Sequence, residues 1–272
     1  MPNNNYERRR GQQETVAPTH TDLNTPRRMR YSYGLLLDKM HFDLEQQYFN
    51  DKRWLLNRRI FGPGVVCGLD VQLSHDNKSV VVYPGLAIDR CGREIIVPKV
   101  SAPQILHVKP PEQPHPQPHQ QQQQHAAQTC QHHHHCDDEY VHLVLCYHEC
   151  TGDPVPVPTG NCETEDPCVA STVREQYSLA LRNGRWSRPR SELRDIVEGR
   201  RIERDALVEY VTRPCRRLPD DCCIVLANIR VAEHDEQYEP DDIDINVRPI
   251  VYTLPVLYQL IRSLVESDES EL

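Results

Sequence analysis

The stretch VVVYPGLAIDRCGREIIVP, residues 80–98, decides the fold class of this chain. It holds three short apolar runs that are separated by turn residues. Pro84 and Gly85 mark a corner, and 89–92 is typical of a tight hairpin turn with its glycine in the left-handed region. The apolar run 65–71 precedes this stretch, and a polar segment lies between them. The pattern predicts a β-meander, in which successive antiparallel strands are joined by short turns.

One helix is predicted before the meander, from Asp38 to about Ile60. Asp38 is a suitable N-cap, and Pro63 between two glycines ends the helix because proline cannot continue it. An apolar stripe runs along this helix, and it offers more apolar surface than a single β-meander can cover. We therefore expect the helix to lie at an interface between copies of the chain. The expected interface residues are Phe42, Tyr48, Phe49, Trp54 and Leu56.

The chain beyond residue 139 again has mainly the pattern of strands. Apolar runs predict a buried strand at 141–147 and further strands at 177–181 and 223–229. A closing helix is predicted from Thr253, with one apolar face. The expected fold is mainly β with α (α+β): an N-terminal helix followed by a β-meander, then a second mostly β region closed by a C-terminal helix.

Composition divides the chain into five segments. Residues 1–29 are polar and lack periodicity, which predicts a disordered N-terminal arm. Residues 30–106 form a shell-like module of helix and meander, and 139–265 form a second β-rich module with the terminal helix. Between them, 107–138 is a low-complexity loop of proline, glutamine and histidine, in which the histidines could bind divalent metal without specificity. Residues 266–272 form an acidic tail.

Charge and motifs exclude several classes of function. The net charge of −9 argues against a general nucleic-acid binder. No apolar run approaches the roughly 18 residues of a membrane-spanning helix, so direct membrane insertion is not expected. The first residues lack the apolar segment of a secretory signal, which favours assembly in the cytoplasm. Glycine motifs of nucleotide-binding and hydrolase sites do not occur, so we predict no catalytic or cofactor-binding residue and no enzyme activity.

Eleven cysteines suggest metal ligands, since disulfides are rare in a reducing compartment. Cys146, His148 and Cys150 alternate along a strand and share one face, and Cys162 and Cys168 follow in an irregular loop. Thiolate and imidazole groups are the ligands that a structural zinc ion takes. These five residues are therefore the candidate zinc site. The loop thiols could instead form a disulfide, or be bystanders.

A second group of cysteines surrounds the polar turn 219–221. It consists of Cys215, Cys222 and Cys223, and an apolar run follows it directly. We expect Cys223 to be a small buried residue at the start of that strand.

The N-terminal module resembles a family of proteins from phage-tail-like contractile injection systems. The segments YGLLLDKMHFDLEQQYFNDKRWLLNRRIFGPGVVCGLDV (33–71) and 80–98 carry the resemblance, which covers about residues 31–100. This region is also similar, more distantly, to the N-terminal shell of the type VI secretion baseplate subunit and to the shoulder of siphophage receptor-binding proteins. The matching features, in the same order, are Gly34–Leu36, His41–Phe42, Gly62–Gly64 and Arg90–Arg93.

The resemblance implies a structural role, since such relatives assemble as trimers and carry no catalytic residues. We expect a structural subunit of a contractile injection system or phage-tail-like particle, as a baseplate component or fibre adaptor. Its expected partners are copies of itself, as a homotrimer, and other particle subunits. Assembly would take place in the cytoplasm, with the chain released as part of a particle. The alternative is a metal-binding protein whose Cys/His clusters are themselves the function.

Overall fold

A computed structural model describes residues 25–106, 140–156, 168–188, 197–198, 201–215, 217–231 and 237–269. Over these ranges the fold is mixed α+β and mainly β, with a helix at each end, so the predicted fold class is confirmed. The predicted arm up to residue 24, the low-complexity loop at 107–138 and the last three residues lie outside the described residues.

The chain divides into two compact units. The larger takes its residues from Pro26–Glu192 and Pro219–Leu272, and the smaller from Met1–Thr25 and Leu193–Leu218. Within the smaller unit, the described elements are a short antiparallel pair, β9 (Val197–Glu198) and β10 (Arg201–Ile202), and the helix α2 (Arg204–Thr212).

The N-terminal helix forms where the sequence predicts it. Helix α1 (Lys39–Leu56) continues into a π-helical turn at Asn57–Phe61. The Asp38 carboxylate accepts a hydrogen bond from the His41 backbone N–H at 3.2 Å, while the His41 ring accepts one from the Asp38 N–H. Gly62 ends the helix at φ +77°, a conformation that glycine adopts without strain.

Six strands follow α1 and form two three-stranded antiparallel sheets. They are β1 (Gly64–Gly68), β2 (Val71–Leu73), β3 (Ser79–Val82), β4 (Gly85–Ile88), β5 (Glu94–Val97) and β6 (Gln104–Ile105). One sheet has the order β1-β4-β5 and the other β2-β3-β6. Gly68 and Leu69 have φ values of +65° and +58°, which turn the chain between β1 and β2. This turn sends the two strands into different sheets, so β1 pairs with β4 rather than with its neighbour in sequence.

The second β-rich region is built on a long hairpin. Strands β7 (Tyr140–Pro156) and β8 (Cys168–Asn183) pair along their whole length, and the sheet is completed by β11 (Ile224–Arg230) and β12 (Ile243–Asp244) in the order β12-β11-β7-β8. Strand β11 pairs only with Tyr140–Leu145 of β7. The far half of the hairpin is thus a two-stranded ribbon, and its described side chains are mostly exposed. The sequence prediction of a strand at 141–147 found only the covered half, because the far half has no buried face to impose an apolar pattern.

The two predicted β-rich regions share one hydrophobic core. Its fully buried members come from before the low-complexity loop (Leu69, Val80, Val82, Ile95, Val97) and from after it (Leu143, Leu145, Ile224, Leu226, Ile229). The buried Arg248 side chain also joins the regions, because it donates to the carbonyl oxygens of Leu226 and Leu69, both at 3.0 Å. Helix α3 (Leu254–Glu269) closes the chain as predicted, and it extends four residues into the segment predicted to be an acidic tail.

The C-terminal end of α1 lies on the hairpin between β4 and β5. The buried Asn57 amide donates to the Gly92 carbonyl and to the Glu94 carboxylate, both at 2.8 Å. Gly92 has φ +93°, and a Cβ at this position would overlap the Trp54 carbonyl oxygen. The predicted hairpin turn at 89–92 is therefore confirmed, and its glycine also permits the close approach of the helix.

Replacing Gly92 by alanine should release the end of α1. Gly184→Ala is the matched control, because Gly184 has a similar φ of +89° but open space around its Cβ direction. Both variants should lose roughly 1–2 kcal/mol of unfolding free energy from the left-handed backbone. Gly92→Ala should lose about 1–3 kcal/mol more because of the steric overlap. Chemical denaturation measures both losses, and equal losses would contradict the contact.

Candidate functional site

Helix α1 exposes its apolar stripe to solvent. No residue of the helix is buried, and Phe42, Phe49 and Leu56 have exposed fractions of 53%, 62% and 55%. Tyr48 and Trp54 are half-buried. The five predicted interface residues therefore lie at the surface of this chain. That a second copy covers them stays a prediction.

Helix α3 has a similar apolar surface. Leu254, Leu260 and Ile261 have exposed fractions of 80%, 47% and 61%.

None of the helices within the described ranges is long and apolar enough to cross a membrane.

Charge is unevenly distributed along α1 and the turn after it. Before Phe49 the charged residues are Asp38, Lys39, Asp43 and Glu45, and after it they are Asp51, Lys52, Arg53, Arg58 and Arg59, so the first part has an acidic excess and the last part a basic one. Some of these charges are used within the chain, since Lys39 pairs with Asp43, and the Arg53 Nε lies 3.3 Å from Glu94. The apolar stripe thus runs along a helix whose first part is acidic in excess and whose last part is basic in excess.

Two disulfides join the start of β11 to two other elements. Cys222 bonds to Cys91 in the β4–β5 hairpin, and Cys223 bonds to Cys146 in β7. The Cα atoms within each bond are 5.4 Å and 4.4 Å apart. The Arg90 backbone N–H also donates to the Cys222 carbonyl at 2.9 Å. Cys222 therefore links to the hairpin that carries α1, and Cys223 links to β7. Both links start from the same point of the chain.

Three members of the predicted zinc site, Cys146, Cys150 and Cys168, are not brought together as ligands. Cys146 is bonded to Cys223, so it offers no thiolate to a metal. The register pairs Cys150 with Arg174 and Cys168 with Pro156. Cys150 and Cys168 are therefore about six strand residues apart, which is roughly 20 Å along the hairpin. The prediction that these two cysteines lie within a few ångströms of each other is wrong.

The remaining candidate ligands give the zinc hypothesis no support. His148 is exposed on the hairpin, and the Cys150 thiol donates to the Gln176 side chain at 3.4 Å. Cys162 lies outside the described residues. Across the described ranges, no three His, Cys, Asp or Glu side chains are grouped as metal ligands. A structural zinc ion accordingly stays a prediction.

The sequence prediction missed both disulfides, because it took Cys223 as a buried strand residue and Cys146 as a ligand. The bonded pairs are separated by 131 and 77 residues, and only the fold brings them together. The one local signal was the adjacency of Cys222 and Cys223. Side chains of consecutive residues in an extended chain point to opposite sides, which allows each cysteine its own partner.

An ion pair lies beside the second disulfide. The Arg182 guanidinium binds both carboxylate oxygens of Asp221, and the Cys223 backbone N–H donates to the same carboxylate at 3.1 Å. The hydrogen bonds from Arg182, and secondarily that from Cys223, hold the pKa of Asp221 below its ordinary value of 3.8 despite partial burial. Asp221 is therefore a carboxylate at neutral pH and fixes the end of β8 against the start of β11.

Comparisons with known proteins assign no family to the chain. No protein-family model matches its sequence, and no curated protein is significantly similar to it. Its function must be argued from the described residues and from the resemblance of residues 31–100.

Replacing Cys223 by serine should destabilise the larger unit. A native disulfide typically contributes roughly 2–4 kcal/mol, mainly by restricting the unfolded chain. Cys67→Ser is the matched control, because the Cys67 thiol is free and exposed, and its loss should be near zero. Denaturation of both variants under non-reducing conditions measures the difference. Partial reduction with stepwise alkylation, followed by sequencing of the labelled peptides, should assign the pairs 91–222 and 146–223, and the exchanged pairs 91–223 and 146–222 would contradict the connectivity.

Asp221→Asn should destabilise the chain at neutral pH and much less in strong acid. A carboxyl group whose pKa is lowered by folding stabilises the fold above its unfolded pKa, and this contribution is lost as the pH falls through the folded value. The difference in unfolding free energy between the natural chain and the variant should shrink as the pH falls below 3.8. A difference that is independent of pH would show that the ion pair does not stabilise the fold.

Proposed function

We propose that this chain is a structural subunit of a contractile-injection or phage-tail-like particle, acting as a baseplate component or fibre adaptor. It works by assembly, and its first partner is a second copy of itself that contacts the apolar stripe of α1. The proposed state is a homotrimer, and other particle subunits are further partners.

The observation that carries the proposal is the exposure of α1. An amphipathic helix in a folded chain normally buries its apolar stripe against a core. In α1 every residue is exposed or half-buried, and the aromatic rings of Phe42 and Phe49 face solvent. Exposed apolar surface of this kind marks interaction sites. The stripe is also held rigidly, since the helix end is fixed on the β4–β5 hairpin.

The charge distribution of α1 favours a copy of the same chain as partner. In a cyclic trimer each contact joins two different patches of neighbouring copies. Asp43 and Arg53 already pair with Lys39 and Glu94 within the chain, so Lys52 of one helix would face Glu45 of the next. The Asp38 cap and Arg53 in the last turn also complement the helix dipole, so charge alone does not require a partner. The exposed apolar stripe of α1 is the feature that favours a partner.

The particle assignment rests on the resemblance of residues 31–100. The resemblance depends on three features in a fixed order: a helix, a glycine-containing turn and the β4–β5 hairpin. In this chain the helix end packs on that hairpin. The disulfides favour an oxidising environment. They therefore fit a particle outside the cytoplasm, with assembly preceding oxidation.

Phe49→Asp should weaken self-association. The natural chain should sediment as a trimer at micromolar concentration, and a charge at the centre of the stripe would have to lose its hydration in the contact. Val211→Asp is the matched control, because Val211 is an apolar helix residue with an exposed fraction of 67%, close to the 62% of Phe49, and lies on α2. Analytical ultracentrifugation of the three proteins measures the effect.

Each outcome of the sedimentation experiment is decisive for one part of the proposal. A natural chain that is monomeric contradicts self-assembly, and a dimer contradicts the trimer. Equal behaviour of Phe49→Asp and Val211→Asp places the contact elsewhere than α1. For the particle assignment, mass spectrometry of purified contractile particles should detect the chain together with sheath and tube proteins, and its consistent absence from them would contradict the assignment.

A further inference from the structure

A cavity of about 390 Å³ lies where the large sheet meets the segment that leads into α3. Its walls come from Pro63, the β4–β5 hairpin, the start of β7, the end of β8 with the segment up to Arg188, residues 221–225, and residues 247–252. This volume is near the lower end of the range for small-molecule sites. The apolar part of the lining comes from β7, β11 and the segment before α3.

The charged lining of the cavity is predominantly basic. Its described lining residues include three guanidinium groups, from Arg90, Arg182 and Arg188, and one carboxylate, from Asp221. Three positive charges against one negative charge leave an excess of two. The whole chain, in contrast, has a net charge of −9. A concave site with an excess of one sign concentrates ligands of the opposite sign.

Arg188 is the arginine best placed to bind a ligand. Its Nη2 group donates to the backbone carbonyls of Asn246 and Arg248 at 2.5 Å and 3.2 Å, which positions the guanidinium without neutralising it. Within the described residues, its Nη1 and Nε donors remain available. Arg182 differs, since it already binds Asp221 through two hydrogen bonds. A planar guanidinium with free donors is suited to a carboxylate.

Aromatic rings also line the cavity. The rings of His142 and Trp186 have centroids 6.1 Å apart, and Tyr252 lines the cavity as well. The His142 Nδ1 lies 2.8 Å from the Gly184 carbonyl, which can only accept, so Nδ1 carries a proton and the ring is held in place. Rings of this kind provide a flat surface for a planar group.

The position of Trp186 is fixed by a fully buried side chain. The Asn228 amide accepts from the Trp186 backbone N–H and donates to its carbonyl, both at 2.9 Å. Asn228 has an exposed fraction of 0%. The disulfides hold other parts of the wall, since Cys223 lines the cavity and Arg90 precedes Cys91. The cavity is thus formed in advance, which lowers the cost of ordering on binding.

We propose that this cavity is a binding site for a small organic anion with a flat apolar body, such as an aromatic carboxylate. The carboxylate would bind the Arg188 guanidinium, and the ring would pack between the aromatic side chains and the apolar wall. The site is distinct from the face of α1, so the proposal does not depend on the assembly function.

Calorimetric titration of the full chain with naphthoate tests the proposal. Naphthamide is the neutral probe of the same shape, and inorganic phosphate is the anion without a ring. Naphthoate should bind, and each of the other two should bind at least about tenfold more weakly, because each lacks one half of the recognition. Affinity equal to that of naphthamide or of phosphate, or no binding of naphthoate, would overturn the proposal.

Arg188→Gln should weaken naphthoate binding by at least about tenfold. Arg185→Gln is the matched control, because Arg185 is a nearby arginine that stacks over the Tyr140 ring and does not line the cavity. Equal effects of the two substitutions would overturn the proposal. If Arg188→Gln fails to fold, Trp54→Phe leaves Trp186 as the one tryptophan. Naphthoate should then quench Trp186 emission more than naphthamide does, and equal quenching would overturn the proposal as well.

Discussion

Cys222 and Cys223 hold the larger unit together at one point of the chain. One disulfide reaches the β4–β5 hairpin and the other reaches β7, so three elements from distant parts of the sequence meet at the start of β11. The hairpin in turn carries the end of α1 through Gly92. The hairpin that carries the end of α1, strand β7 and one wall of the cavity are all linked at this junction. A crosslink suits this role because the chain has an apolar fraction of only 38%. That is less than the 45–50% usual for globular proteins, so less burial is available to hold the elements.

The apolar residues that the chain does possess are divided between two uses. Those of β3, β5, β7 and β11 form the shared core, whereas those of α1 and α3 remain at the surface. A chain that is short of apolar residues gains stability by burying them, so two exposed stripes cost stability unless another surface covers them. This distribution is the physical basis of the proposed assembly. It also separates the assembly surface on α1 from the cavity, whose lining belongs to other elements.

Local features of the fold could be predicted from the sequence, and long-range ones could not. The cap at Asp38, the end of α1 at Gly62 and the hairpin at Gly92 depend on residues close in sequence, and all three are found. The pairing of β1 with β4 depends on a turn at Leu69, whose left-handed backbone is unusual for an apolar residue and carries no sequence signal. The zinc hypothesis placed thiols together by their spacing, but the long hairpin holds Cys150 and Cys168 apart. The cavity could not have been found either, since Arg90, His142, Arg188 and Tyr252 converge only through the fold.

The shared core also changes how the two predicted modules should be understood. Leu69 and Val80 precede the low-complexity loop, Leu143 and Leu226 follow it, and all four belong to one buried cluster. If either module folded alone, it would expose its half of that cluster to water. The Arg248 guanidinium also joins the two modules, because it donates to Leu69, before the loop in sequence, and to Leu226, after it. Separating the modules would remove a hydrogen bond from a buried cation. The Cys91–Cys222 bond spans the loop as well. The low-complexity segment 107–138 is therefore inserted in the sequence of one folding unit and does not separate two.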